Sequence, residues 1–248
     1  MRILVLRPQA DADRTARKLA ARGHEAVVAP VLAIRQTGEP PPPGPFGAAI
    51  LTSAHAVPAL ASVEGGRDVP VFAVGARTAA AAAAAGFTDV RAAGGDAASL
   101  SVLVGKSVPA GARLLHAAGR ERKPEPDVSL TRAGFTVSTW IAYEAVAAER
   151  LPAAAETALR QGRLDAALHF SRRSAGIALD LADAAGVAAP FLLITHVCLS
   201  DDAAAPLRGG AARLTIAERP DEEALFASLD RCAKDRDETG SRNRSPKC

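Results

Sequence analysis

Short apolar runs of strand length, spaced so that a helix fits between them, constrain this chain more than any other feature. Ile3–Leu6 comes first. A helical stretch follows from about Asp11, a plausible N-cap, to Arg22, with Gly23 placed as the left-handed stop, and then a second run, Ala26–Ala29. Two strands flanking one helix form a βαβ unit, which implies a parallel sheet. Buried strands are then expected at Ala48–Leu51, Val71–Val74, Arg113–His116, Val137–Ile141, Ala166–Phe170, Phe191–Ile194 and Leu214–Ala217, with helical stretches between most of them. The prediction is an α/β fold with parallel sheets.

The runs also repeat. Ala48–Ser53 echoes Ala166–Ser171, Pro70–Val74 echoes Pro190–Ile194, and Asp96–Leu100 echoes Asp221–Leu225, at offsets of about 118 to 125 residues. The strand, loop, helix and Gly23 of the opening resemble Leu114–Gly134. Any α/β chain rhymes with itself to some extent, but the shared order and nearly constant offset favour two similar domains. The stretch EPPPPGP, Glu39–Pro45, can neither pair in a sheet nor continue a helix and reads as a stiff, exposed connection.

Composition closes off several functions. A chain of 248 residues is long enough for one large domain or two small ones, and with only 4% aromatic residues the core must be built from Ala, Leu and Val. The net charge of +3 comes from the end of the chain: six of the 30 basic and three of the 27 acidic residues lie in 231–248, so the body before it is neutral. No phosphate-tracking stripe is left for a nucleic acid. From about Asp235 the sequence is polar with nothing to bury, and residues 236–248 are expected to be a disordered tail. Cys198, Cys232 and Cys248 show no metal-ligand spacing and fit reduced thiols. The apolar run after Met1 is too short for a signal peptide, and Ala79–Ala85 is too short for a membrane span, so a cytoplasmic protein is expected.

Familiar catalytic motifs are missing. There is no GxGxxG after the first strand, no GxxxxGK[ST] and no GxSxG, and the five histidines have no ligand-like spacing. No metal or other cofactor is expected. Small polar and basic residues do recur just past the strand ends: Arg7-Pro8, Thr52–His55, Gly75–Thr78, Gly119–Lys123 and Ser171–Ser174. Ligands of open parallel sheets bind at such ends, and Gly/Ser/Thr turns entering helices expose amides that hold anions. One such turn alone is an ordinary loop with an N-cap; five together suit a ligand with many carboxylates.

These segments carry a resemblance. Ile3–Pro8, Ile50–Val57, Val71–Ala79, Leu115–Arg120, Tyr143–Ala145, Phe170-Ser171 and Pro220–Leu225, in this order over about residues 1–230, resemble uroporphyrinogen-III synthase. The resemblance implies two flavodoxin-like α/β domains joined by a pair of strand-like linkers, the first domain discontinuous: 1–33 plus 148–235, then 34–147. It implies an interdomain cleft for hydroxymethylbilane, a linear tetrapyrrole with acetate and propionate groups on each ring. It further implies a monomer that meets hydroxymethylbilane synthase transiently.

The implied reaction is dehydration with rearrangement to uroporphyrinogen III. Loss of the ring A hydroxyl leaves an azafulvene, the substituted carbon of ring D attacks it, and the spiro intermediate reopens and closes with ring D inverted. The pyrroles supply the electrons. Tyr143, the single tyrosine, stands at the family's tyrosine position as hydrogen-bond donor to the leaving hydroxyl. Thr78 matches the family's threonine after the glycine turn and would orient the substrate. Ser53, Gly75, Gly119 and Ser171 would present backbone amides to carboxylates, with Arg7, Arg120 and Lys123 as additional cations. The segment Thr195–Asp202 departs from the family pattern, lacking the glycine that many relatives carry in a Gly-x-x-Thr turn there. Two other classes compete with the enzyme: a two-lobed anion-binding protein without turnover, and a protein-interaction module.

Overall fold

The computed structural model describes the backbone of residues 1–242 and the side chains of residues 1–235. In chain order the elements are β1 (Arg2–Val5), α1 (Gln9–Ala20), β2 (Glu25–Val28), β3 (Leu32–Gln36), β4 (Ala48–Leu51), α2 (Val57–Ser62), β5 (Val71–Ala73) and α3 (Ala76–Ala84). Next come β6 (Val90–Ala92), α4 (Ala97–Ser107), β7 (Arg113–Gly119), α5 (Asp127–Arg132), β8 (Thr136–Ala147) and α6 (Ala153–Arg160). The chain ends with β9 (Ala166–His169), α7 (Arg172–Ala184), α8 (Ala188–Leu193), β10 (Thr195–Cys198), α9 (Asp201–Ala204), β11 (Arg213–Ile216) and α10 (Glu222–Arg242). It divides into two compact units, residues 1–33 with 147 onward, and Ile34–Val146.

The first unit holds a parallel sheet in the order β11-β10-β9-β1-β2. Counted along the unit this is 2-1-3-4-5, the flavodoxin-like order. Alternation along the strands covers both faces. Leu4 and Ala167 pack with α6, α7 and α8, whereas Ile3, Val5 and Leu168 pack with α1 and α10. Helix α7 turns Ala175, Ala178 and Ala182 inward, a helical stripe of small side chains that lets the helix sit close to the sheet. The bulk comes from Phe191 and Phe226, both buried, each worth about 1.5–3 kcal/mol of transfer free energy.

The second unit's sheet runs β3-β8-β7-β4-β5-β6, with parallel pairing from β8 through to β6. The stretch β8-β7-β4-β5-β6 has the same 2-1-3-4-5 order, entered by the chain at its third strand. Hence β4 corresponds to β9, β5 to β10, β6 to β11, β7 to β1 and β8 to β2. The rhyme read in the sequence is therefore a topological repeat. Its matching helices end alike: Gly23 (φ 76°) follows α1 and Gly134 (φ 89°) follows α5. The next residues, His24 and Phe135, donate their N–H back to Leu19 at 2.9 Å and Leu130 at 3.2 Å. The chain passes between the units along β3 and β8, which are hydrogen-bonded neighbours.

Four elements differ from expectation. The run Phe191–Ile194 is not a strand: most of it lies in α8, and β10 follows at Thr195–Cys198. Pro190 sits in the first turn of α8, where a missing N–H costs nothing, and a short apolar run does not by itself distinguish strand from helix. Strand β6 escaped notice because Arg91 and Ala92 are exposed and leave no apolar alternation. Strand β8 extends well past Ile141, carrying Tyr143 inside a strand. The helical backbone of α10 continues to Arg242, into the stretch read as a disordered tail; residues 243–248 lie outside the described residues. Among the described residues no helix is long and apolar enough to cross a membrane.

Candidate active site

In the second unit β4 lies between β5 and β7, so the turns at their carboxyl ends are neighbours. After β4, Ser53 accepts the His55 N–H on Oγ at 3.3 Å and caps a 3-10 turn over Ala54–Ala56. After β5, Gly75 is the N-cap of α3 and, having no side chain, leaves that helix start without a side-chain cap. A Cβ at Gly75 would lie 3.3 Å from the Gly95 Cα, so glycine permits the loop after β6 to close against this turn. Thr78 is buried in the first turn of α3.

After β7, Gly119 is the register partner of Tyr143 across an irregularity at Ala118/Gly119, and the Arg120 N–H donates to the Tyr143 carbonyl at 2.9 Å. Such a shift re-aims a side chain. The Tyr143 phenol lies over Gly119, and the His55 ring meets it edge-on at 5.7 Å between centroids. The Arg120 guanidinium is already shared between Glu144 at 2.8 Å and Glu39 at 2.9 Å; the hydrogen bond to Glu144, then that to Glu39, holds it above its usual range. Lys123 is exposed on the segment before α5.

Behind these turns lies a polar chain in an otherwise apolar sheet face. Thr52 Oγ1 is 3.1 Å from His116 Nε2, His116 Nδ1 is 2.5 Å from Asp127 Oδ1, and the Thr139 hydroxyl donates to Asp127 Oδ2 at 2.7 Å. His116 is 1% exposed. Burial works to raise the Asp127 carboxyl, but the hydrogen bonds from His116 and Thr139, with the Arg122 charge, outweigh it and leave it below its usual range. Sequence reading passed over His116 as one of five scattered histidines. The available signal was a histidine inside the otherwise apolar run Leu114–Gly119 of β7, with Thr139 as its register partner.

The first unit places Arg7 and Ser171 at the ends of β1 and β9. Arg7 donates to Glu222 at 2.9 Å and Thr15 at 3.2 Å, lies 3.6 Å from Asp11 and stacks 3.9 Å over the Phe170 ring. Burial favours a raised Glu222 pKa, but the Lys18 hydrogen bond and the charges of Lys18, Arg7 and Arg14 hold it below its usual range. Ser171 is exposed and caps α7, accepting the Ser174 N–H at 3.2 Å. In the divergent 195–202 segment, Ser200 takes the N-cap place that Gly75 holds in the other unit, accepting the Ala203 N–H at 3.2 Å. Asp202 faces Arg172 at 3.7 Å, so its charge is partnered. Burial pushes the neighbouring Cys198 thiol up to about 12, which makes it inert as a nucleophile.

The sheet order repeated in both units, with hydroxyl- and glycine-bearing turns at the strand ends, defines a two-unit α/β protein of the flavodoxin-like class. The family is more particular: the model of uroporphyrinogen-III synthase HemD matches residues 13–227, and the chain belongs to that family. Its activity is the cyclisation of hydroxymethylbilane to uroporphyrinogen III in tetrapyrrole biosynthesis. Among solved structures it is similar to uroporphyrinogen-III synthetase from Helicobacter pylori, with a TM-score of 0.62 and 18% identity over 93% of this chain and 99% of that one. It is also similar to a mutant uroporphyrinogen III synthase from Thermus thermophilus, at 0.48 and 17% over 95% and 99%. No curated protein sequence matches.

Proposed function

We propose that the second unit's strand ends carry the chemistry of the cyclisation, with Tyr143 as the group that meets the leaving hydroxyl. The observation that carries this is the phenol lying over Gly119, beside His55 and the Ser53 turn. The phenol O–H hydrogen-bonds the ring A hydroxyl and passes it a proton as the pyrrole electrons expel it as water, and the phenolate regains a proton from solvent. The azafulvene is then attacked by the substituted carbon of ring D, the spiro intermediate reopens, and reclosure releases the proton of a pyrrole carbon. Hydroxyl and proton together balance the water lost.

The substrate's carboxylates are held by amides at the Ser53, Gly75 and Gly119 turns, with Thr78 fixing the first turn of α3. Lys123 adds an exposed cation. Arg7 and Arg120 contribute chiefly by ordering their strand ends, since each already shares its charge with two carboxylates. Ser171 offers a matching turn in the other unit. The two domains are taken as 1–33 plus 148–235 and 34–147. The enzyme works as a cytoplasmic monomer, and a transient encounter with hydroxymethylbilane synthase shortens the free life of a substrate that also closes by itself.

The test is Tyr143→Phe. Loss of the donor lowers kcat by about 10²-fold with KM little changed and the thermal midpoint kept. A wild-type kcat in the folded variant removes Tyr143 from the reaction.

A further inference from the structure

The polar chain behind the strand ends has a chemistry of its own. A carboxylate has no proton to give, so the 2.5 Å contact to Asp127 requires the proton on His116 Nδ1. The second carboxylate oxygen is occupied by the Thr139 hydroxyl at 2.7 Å, which pins the carboxylate in place. With Nδ1 protonated, a neutral His116 offers only the Nε2 lone pair, and the Thr52 hydroxyl, 3.1 Å away, donates to it. The order hydroxyl, imidazole, carboxylate is the arrangement by which a buried acid orients a base and stabilises its protonated form.

Thr52 is the outward end of this chain. It is half-buried where His116 is buried, and it immediately follows β4 and precedes Ser53. The last β4 residue, Leu51, pairs with Ala117, two residues before the Gly119 that carries the Tyr143 ring. Thr52 therefore lies at the same end of the sheet as the phenol.

We propose that Thr52, His116 and Asp127 form a proton relay, complementary to Tyr143, that removes the proton a pyrrole carbon must release when the macrocycle closes. Thr52 Oγ1 takes that proton as its own passes to His116 Nε2, and the C–H electron pair restores the aromatic pyrrole. The resulting imidazolium is held by the Asp127 carboxylate and later returns its proton to solvent. Tyr143 then acts on the hydroxyl that leaves and the relay on the proton that leaves. His116 and Asp127 are positioning residues, since only Thr52 reaches the substrate. The relay rests on the proposed placement of the chemistry at these strand ends.

The test compares Thr52→Val, Thr52→Ser and Asp127→Asn on freshly generated hydroxymethylbilane, with ¹⁵N-histidine NMR of the wild type assigned against His116→Gln. The expected result is a kcat lowered about 10²-fold in Thr52→Val and Asp127→Asn with KM within about twofold, and a rate within about threefold of wild type in Thr52→Ser. The NMR should show the neutral form of His116 protonated on Nδ1 and bare on Nε2. A wild-type kcat in folded Thr52→Val or Asp127→Asn, equal losses in Thr52→Val and Thr52→Ser, or a neutral His116 protonated on Nε2 each overturns the relay. If a variant does not fold, the tautomer decides alone. Failure of the underlying placement reads differently: Tyr143→Phe then keeps the wild-type rate, whatever the tautomer of His116.

Discussion

The phenol of Tyr143 occupies the space that a side chain at Gly119 would need. A Cβ built at Gly119 would stand 2.8 Å from Tyr143 Cζ and 2.9 Å from both Cε2 and Oη. Contacts that short displace something, and here the neighbour is the ring itself. Gly119→Ala should therefore move the phenol and lower kcat at least as far as Tyr143→Phe, while costing about 1–3 kcal/mol of stability. Steady-state kinetics with a urea titration checks both. A wild-type kcat in Gly119→Ala would mean that the phenol is not used where it lies.

Gly75 tests the anion-binding turn separately. Its backbone is extended and any residue adopts it, so Gly75→Ala acts through the 3.3 Å approach to Gly95 and the widened turn. KM should rise several-fold with kcat changed less, because the carboxylates are gripped alike in ground and transition states. A fall in kcat alone would place this turn in the chemistry and not in binding.

Much of this was legible in the sequence. The alternation of strands and helices was plain because both faces of each sheet are covered, and the two-unit repeat was visible in the echoes of β4 with β9 and of α4 with α10. The repeat was matched one element early at Pro190–Ile194, because α8 is short, apolar and preceded by the Gly186 stop, features a buried strand shares. The site was legible in part. Ser53, Gly75, Thr78 and Gly119 fall at one unit's strand ends, since turns past parallel strands are local features, and Tyr143 lies within β8 opposite Gly119. What Arg7 and Arg120 pair with was not legible, because Glu222 lies 215 residues from Arg7 and Glu39 lies 81 from Arg120. The His116 network was concealed in another way: Thr52 lies 64 residues from His116, and Asp127, though only 11 away, meets the ring only once β7 and α5 are packed.

Arg7 should behave as a structural cation. Arg7→Met leaves Asp11 and Glu222 without their shared guanidinium in a site where Arg7 is 15% exposed. Stability should fall by about 2–4 kcal/mol, from breaking a largely buried ion pair, with KM within about twofold. A tenfold rise in KM at unchanged stability would assign Arg7 to substrate.

The first unit hides an acid-sensitive pair. His169 Nε2 and His196 Nδ1 are 2.9 Å apart, and His196 Nε2 donates to the Phe191 carbonyl at 2.9 Å. Burial and the His196 charge push His169 down to about 3, and burial pushes His196 to about 4 against the Phe191 hydrogen bond. Both are neutral in the fold, while the unfolded chain takes up protons below about 6.5, so stability is full above that pH and falls as pH drops toward 4. The slope is about 1.4 kcal/mol per pH unit for each histidine. Urea midpoints at several pH values between 7.5 and 4.5 measure it, and a flat profile would contradict the neutral buried pair.

The isomer of the product reports the cyclisation itself. Hydroxymethylbilane generated from porphobilinogen is mixed with the protein, the products are oxidised, and the type I and type III porphyrins are separated. Spontaneous closure yields type I. The prediction is that wild-type protein turns the product to type III; type I alone, with well-folded protein, would contradict the account.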